Sequence, residues 1–561
     1  MGSDLDLRGT TIDSSLLLDV LTACTDPATG SPRVGNANFN SVTFTDHAHF
    51  DSVTFTGRAD FSSVTFASDA DFSRVAFAHP VSFSGATFTS VADFNGTTFT
   101  SLADFGTVTF SSRVDFSSAV FTGTSYFTLA TFTGHADFSL ATFSGNANFT
   151  MATFAGLATF TSAVFSRTAF FDVTTFASSA YFDSATFEGL QHIGPLACVG
   201  GVVLDKARFT GSQVTIEVVT PRLSCERTAF EGNATLRLRY AEVRLSRAML
   251  MAPANVHAWP VPFRWDGNTV EEDHFTDVGS PAGVRLVSLE GVDCAHLVLT
   301  DIDLSTCEFS GAFHLEQIRI GFGCRFGRPP SGWRPHHRLL PARWSPRKVL
   351  AEEQHWRSHQ PGAAGRGWER GPLHGVPERE AGPDDLVGVY QQLRKAFEEA
   401  GNQPDAADFY YGEMEMRRHD MQRPQAERRL LGLYWLVSGY GLRASRALSL
   451  LLVAMGLTLV LMVLFGLPDD TPDPKTTGTY GAGVVQTTTK TPDPVLSLSW
   501  KKRVTAKRAE KAALVVVNSV VFRSSGQNLT LPGTVIEMAS RIGEPVLLGL
   551  AALAIRSRVK R

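Results

Sequence analysis

Cysteine is scarce and unpatterned in this 561-residue chain: six residues (24, 198, 225, 294, 307, 324) form no CxxC pair and no metal-ligand spacing. Neither a GxxxxGK[ST] phosphate loop, a GxGxxG turn, a nucleophile elbow nor a zinc-ligand cluster occurs. No catalytic residue, cofactor site or metal site is therefore nominated, and a non-enzymatic role is expected. Charge of one sign is lacking too. A formal net charge of −4 gives no global case for nucleic acid as a partner. The first eight residues have no apolar run of signal-peptide type, so the N-terminal part is expected to stay in the cytoplasm. Unpaired thiols suit that reducing compartment.

What the chain has is phenylalanine, 41 residues against 9 tyrosines. Phe39, Phe44, Phe50 and Phe55 open a series that runs unbroken to Phe187, with steps alternating five and six. The result is an 11-residue unit repeated 14 times. Two positions before each Phe the residue is nearly always Ala or Val, as in Ala37, Val42, Ala48, Val53, Ala59 and Val64. Helical periodicity cannot generate that spacing. Fixed-period self-similarity marks a solenoid, whose units bury their apolar sides only by stacking.

A large residue at every fifth place, with a small one two before it, resembles the pentapeptide-repeat family. The resemblance implies a right-handed quadrilateral β-helix with four faces per coil, Phe and Ala/Val inward, and Ser, Thr, Asp, Asn and Gly outward. The extra residue in every second unit makes a coil of 22 rather than 20, and reads as a corner bulge that leaves the inward phase intact. A flatter roll, with one 11-residue unit per coil, is the alternative. Phe61, Phe66, Phe72, Phe77, Phe94, Phe105 and Phe138 represent the expected core. The phase persists at Ile193, Cys198, Leu204 and Phe209, then at Cys225, Phe230 and Leu236, and as a strict five-residue series from Val284 to Phe309. One solenoid over 36–327 is expected, with a cap at 1–35 and an irregular insertion near 249–282.

Asp71, Asp93, Asp115 and Asp137 recur at 22-residue intervals and would stack on one face. Residues 36–190 hold 12 acidic and four basic side chains. The family includes acidic rods that mimic DNA, which makes inhibition of a DNA-binding enzyme one functional alternative; an exposed, solubilising position is the plainer reading.

Beyond the solenoid, 328–383 is rich in Pro, Gly and Arg and reads as a linker with one short helical stretch near Lys348–Ser358. His355 and His359 share a helical face within it, without the Glu of the zinc-protease motif. Residues 384–420 read as an αα-hairpin broken at Gly401-Asn402-Gln403-Pro404, and the segment from Asp405 is similar to the connector of pentapeptide-repeat membrane proteins. An interfacial segment, 421–446, carries Tyr434, Trp435 and Tyr440 between arginines. Residues 447–467 contain no charge and are long enough to span a ~30 Å hydrocarbon core. A polar loop with a basic stretch (468–511) and C-terminal helices (512–561) follow. The order spanning helix, short apolar helix, polar turn, second helix resembles the two-helix pore module of potassium-channel-like proteins. Ser524-Ser525-Gly526-Gln527-Asn528 stands where that family has its filter, so potassium selectivity does not carry over. Glu537, Arg541 and Glu544 lie on one face of the last helix as a candidate intramembrane charged seam.

The expected function is a membrane protein whose cytoplasmic solenoid serves as an interaction scaffold or regulatory domain. Its expected partners are the lipid bilayer through the C-terminal region, an unidentified protein, and further copies of itself. An oligomeric channel-like protein is the alternative.

Overall fold

A computed structural model describes residues 2–27, 30–270, 272–276, 283–331, 333–337, 340–343, 345–363, 367–368, 381–469, 474–481, 484–490, 494 and 496–559. It falls into two compact units, Met1–Asn402 and Gln403–Arg561. The first is a parallel β-solenoid of about 13 turns.

The strands are mostly two residues long, such as Ala59–Asp60 and Thr65–Phe66. Within Ala59-Asp60-Phe61 the alternation of a β-strand turns Ala59 and Phe61 inward and Asp60 outward. Each strand pairs in parallel with one a full coil away: Phe44 with Phe66, Phe66 with Phe88, Phe88 with Phe110. That register closes each coil after two repeat units and excludes the flatter one-unit roll. The strands form four stacks. Two are sheets of 14 and 12 strands; the other two make an 18-stranded sheet joined through Arg33–Asn38, which is long enough to pair with both Thr54–Phe55 and Ala59–Asp60. Coils then shorten as phenylalanine runs out. The pairs Phe209–Phe230 and Phe230–Leu250 are one and two positions closer in sequence than those of the Phe series.

The five-residue steps turn through a tight corner. In Phe39-Asn40-Ser41-Val42 the Val42 N–H donates to the Phe39 carbonyl at 3.0 Å. Ser41 takes φ 58°, and Ser52, Ser63, Arg74, Thr107, Ser118, Leu129, Leu140, Met151, Ser162 and Val173 repeat that left-handed conformation in the same place of their units. Gly85 and Gly96 occupy the same position, the residue type for which it carries no steric cost.

Inside, the 28 rings of the series form four ladders. Phe61, Phe83, Phe105 and Phe127 stack at 4.9, 4.9 and 5.0 Å between centroids. Phe72, Phe94, Phe116 and Phe138 stack at 5.0, 4.7 and 4.9 Å. The two ladders meet edge to face, as at Phe94–Phe105, 5.5 Å and 89°, an arrangement that places ring edges against ring faces.

Both ends are covered. Ser3–Asp6 pairs with Arg33–Asn38, Thr11–Ile12 pairs with Thr43–Phe44, and helix α1 (Ser14–Ala23) buries Leu17 and Leu21. At the other end the described residues of 345–363 and 367–368, read as linker with a helical stretch near 348–358, pack on the solenoid and include that helix. Helix α2 (Ala351–Ser358) places the Glu352 carboxylate on the backbone N–H groups of Phe309 and Ser310, at 2.6 and 2.9 Å, satisfying donors of an end coil that has no following strand to pair them. Glu353 is fully buried between Arg347, Arg357 and the Tyr390 hydroxyl. Tyr390 and Phe397 belong to helix α3 (Pro383–Glu399), and Phe397 meets Phe326 at 6.1 Å. The expected hairpin over 384–420 is therefore divided at Asn402, because the apolar stripe of α3 is used on the solenoid's end. The insertion is shorter than expected: Met249–Leu250 and Ala254–Ala258 continue the stacks, since Leu250, Ala254 and Val256 still point inward. Described residues from Trp259 to Thr276 form a flap whose Phe263, Val270 and Phe275 pack on Ala197 and Val219. A buried bidentate pair, Arg239 to Glu272 at 2.7 and 2.8 Å, pins it.

The second unit is helical: α4 (Gln403–His419), α5 (Gln425–Ser438), α6 (Ala444–Leu461), α7 (Ala506–Val520) and α8 (Leu531–Val559). Tyr411 of α4 packs at 5.1 Å from Tyr440, and its hydroxyl accepts from the Trp435 indole at 2.9 Å. A wider turn, Met462–Gly466, ends α6. The segment expected to be a featureless loop holds an antiparallel hairpin, Lys475–Gly481 with Val484–Lys490, in which β-branched Thr and Val supply the strand preference.

Candidate functional site

The acidic ladder is in register. Asp71 pairs with Asp93, Asp93 with Asp115, and Asp115 with Asp137, about 4.8 Å apart from coil to coil. Each of these carboxylates also makes a local bond. Asp71 accepts the Ser73 N–H at 2.8 Å, Asp93 that of Asn95 at 2.8 Å, Asp115 that of Ser117 at 2.8 Å and Asp137 that of Ser139 at 2.9 Å. The i→i+2 bond is an Asx-turn, which holds the chain as it leaves the strand. Asp60 and Asp104 make it on another face, and Asn148 makes it without charge. Partial burial pushes the Asp93 carboxyl above the ordinary aspartate range, and the neighbouring Asp115 and Asp71 charges add to the rise. Turn geometry thus accounts for the Asp, while stacking like charges works against the rod.

Next to this ladder lies a group that no linear motif announces. His49 is the register neighbour of Asp71, and His49, Asp51 and Asp71 present ligand atoms within 4.8 Å of one another. The His47 and His49 rings stack at 4.0 Å. His49 and Asp51 are exposed, and the trio offers a donor set of one imidazole and two carboxylates. Its signal in the sequence is the 22-residue separation of His49 and Asp71. His355 and His359, by contrast, are a helix end: a ring nitrogen of His359 lies 2.9 Å from the His355 carbonyl.

A second charged group sits between the flap and the end of the Phe series. Glu217 receives Arg237 at 2.7 Å and has His192 at 3.7 Å. The Glu217 contact raises the His192 imidazole above its ordinary value, and His192 in turn lowers Glu217. These partners are about one coil apart in sequence, so only the coil length brings them together.

All seven nominated core rings, Phe61, Phe66, Phe72, Phe77, Phe94, Phe105 and Phe138, are fully buried.

In the helical unit two segments, Ala444–Gly466 and Leu531–Arg556, are long and apolar enough to cross a membrane. They approach closely where Gly533 meets Gly466; a Cβ at Gly533 would lie 2.3 Å from the Gly466 carbonyl. Helix α7 starts beside the end of the first segment. Arg508 donates to the carbonyls of Val463, Leu467 and Pro468 and to Asp469, at 2.6 to 3.0 Å. Further along, Ala512 and Val515 pack with Met462, Val463 and Leu467, and Ser519 bonds Ser540 of α8 at 2.9 Å. The chain then doubles back: Ser525 N–H donates to Glu537, and Thr530 N–H to the Gly466 carbonyl at 3.0 Å. Ser540 lies nine residues into α8, so this excursion reaches about 14 Å along the helix before returning.

Glu537, Arg541 and Glu544 share this region but are not ion-paired to one another. Glu537 takes the Ser525 N–H at 2.8 Å, Arg541 donates to the Phe522 carbonyl at 3.1 Å, and Glu544 meets Thr458 at 2.8 Å. The steps of three and four that align them on α8 are visible in the sequence; the partners, 12 to 86 residues away, are not.

Residues 39–87, 72–120 and 116–163 match the family model described as Pentapeptide repeats (9 copies). No curated protein and no solved structure matches the chain.

Proposed function

We propose that this pentapeptide-repeat chain is a non-enzymatic, membrane-anchored scaffold, with a cytoplasmic solenoid that presents its faces to a protein partner. The observation that carries the reading is the union, in one chain, of two opposite surfaces. The solenoid closes its Phe core within itself and turns Ser, Thr, Asp and Asn outward. The helical unit leaves Leu452, Val453, Leu457, Val460, Val535, Met538, Ile542 and Val546 exposed along two membrane-length segments. Two spans return the chain to the side from which it entered. Arg428, Arg429 and Arg443 before the first span and Arg558 after the second then face the same compartment. The cytoplasmic side is assigned from the arginines that precede the first span, although Lys501, Lys502, Arg503, Lys507, Arg508 and Lys511 lie between the spans. The test is alkaline extraction of membranes from cells expressing the full chain, together with a variant lacking 444–466 and 531–556. The full chain should stay in the pellet and the variant should be released; a full chain that is itself released removes the anchor. Affinity capture with the released variant should then recover one stoichiometric protein partner, and recovery of none removes the scaffold.

A second reading, an oligomeric channel-like protein, is favoured by one observation, the excursion of α7 and residues 521–530 between the two membrane-length segments. It requires oligomers in detergent and ion flux in liposomes; monomers without flux exclude it.

A further inference from the structure

We propose that Glu544 is held as a neutral carboxylic acid, a proton-binding site that donates its hydrogen to Thr458 and ties the two membrane-length segments together. Counting hydrogens leads there. Thr458 Oγ1 lies 3.0 Å from the Ala454 carbonyl and 2.8 Å from Glu544 Oε1. A hydroxyl has one hydrogen, and a carbonyl only accepts. The bond from a helical threonine to the carbonyl four residues earlier is its usual one. The Thr458 hydroxyl can donate to Glu544 Oε1 or to the Ala454 carbonyl. Directed to Ala454, it would leave an ionised Glu544 facing a second acceptor, and the buried, unpartnered Oε2 of the same carboxyl selects the acid. A carboxylic acid supplies the missing hydrogen, and a chain runs from Glu544 O–H to Thr458 Oγ1 and from Thr458 O–H to the Ala454 carbonyl.

The surroundings agree. Both side chains are buried, Glu544 at 1% exposure and Thr458 at 6%. Glu544 Oε2 is buried without a hydrogen-bond partner, tolerable for the carbonyl oxygen of an acid and far costlier for a carboxylate. No cation reaches it among the described residues. On its own helix Arg541 is spent on the Phe522 carbonyl and Glu537 on the Ser525 N–H. On α6 the only charge is Arg446, 12 residues or about 18 Å from Thr458, bonded to the Trp435 carbonyl. On α7, Lys507, Arg508, Glu510 and Lys511 cluster at the start, where Arg508 is bound to Asp469 and three carbonyls. On α5, Glu427 pairs with Arg423, Arg428 bonds the Arg418 carbonyl, and Arg429 makes no ion pair with Glu544.

A buried acid of this kind reacts with dicyclohexylcarbodiimide: its proton moves to a carbodiimide nitrogen, its oxygen adds to the central carbon, and an O-to-N acyl shift leaves an N-acylurea with no leaving group. The full chain in mild detergent is treated at neutral pH and mapped by mass spectrometry. The adduct is expected on Glu544, declining as pH rises, and absent after Glu544→Gln. Thermal unfolding gives a second, independent readout. Glu544→Gln keeps a donor for Thr458 and should leave the midpoint unchanged, whereas Glu544→Ala and Thr458→Val should lower it. An unlabelled Glu544, or a Glu544→Gln midpoint that falls with that of Glu544→Ala, overturns the proposal. So does a Glu544→Gln midpoint well above the parent's, the sign of a relieved buried charge. The choice of an apolar probe rests on the membrane reading, but the Gln comparison in detergent does not, so release of the chain by alkali would sink the anchor and leave this assignment standing.

Discussion

Removing the Phe105 ring tests the solenoid's central physical claim, that stacked rings and not hydrogen-bonded strands of two residues hold the coils together. Phe105 is fully buried, stacked on Phe83 and Phe127 at 4.9 and 5.0 Å and edge-on to Phe94, Phe116 and Phe99 at 5.5, 5.2 and 5.7 Å. Phe105→Ala leaves a cavity the rigid coils cannot collapse into, for a loss of about 3–5 kcal/mol. Phe39, at the first coil of the series, stacks on one ring only, Phe61 at 4.8 Å, and Phe39→Ala should cost less. Because each coil touches only its neighbours, the central substitution also weakens two interfaces and should split unfolding into two transitions. Urea denaturation of the full chain, followed by hydrogen exchange of the coils on either side, measures both effects. A Phe105→Ala loss below about 1 kcal/mol, or one equal to that of Phe39→Ala, would refute ring stacking as the main source of cohesion.

Three other outcomes are expected. Asp93→Asn keeps the Asx-turn, as Asn148 does, and removes a charge from between Asp71 and Asp115. Its carboxyl titrates above the unfolded value, so ionisation disfavours the fold at neutral pH; the Asn variant should gain about 0.2–1 kcal/mol there and lose that gain below pH 3.8, and a gain that does not depend on pH would contradict it. Thr107→Gly relieves an exposed β-branched residue at φ 53°, where Gly85 stands one coil earlier, and should stabilise by about 0.5–1 kcal/mol after the entropy of the added glycine is counted; a lower melting temperature would show the corner unstrained. Burial, with the nearby charges of Glu352 and Glu290, lifts the Glu308 carboxyl to about 7 from an ordinary 4.5, so its contribution is complete below pH 4.5 and disappears as pH rises through 7. Exchange protection of the last coils should fall between pH 5 and 8, and Glu308→Gln should abolish that dependence.

Legibility follows the repeat. From Phe39 to Phe187 each inward and outward assignment can be read from spacing, because a β-strand alternates and the unit recurs without error. The apolar run at 447–467 is equally plain, and the structure places a membrane-length helical segment at 444–466. Glu352 is legible only as a polar residue on a linker helix, since nothing near it in sequence reveals Phe309 and Ser310 as its partners, 43 and 42 residues away. Met249–Ala258 lacks the Phe mark and reads as an insertion, although Leu250 and Val256 fill the same inward places with aliphatic side chains.

By itself, then, the order of residues determined which side chains face the core, that Asp recurs at 22-residue intervals as at Asp71 and Asp93, and that a stretch near the C-terminus is long and apolar enough to cross a membrane. Tertiary structure alone decided that a coil closes after two repeat units and not one, that Asp carboxylates close corners, that α2 and α3 cover the solenoid's end, and that Glu544 meets Thr458. The physical reason is range. Alternation and hydrophobicity act between neighbours, whereas closing a coil, capping an end and completing a hydrogen-bond chain depend on groups that only folding brings within hydrogen-bonding distance.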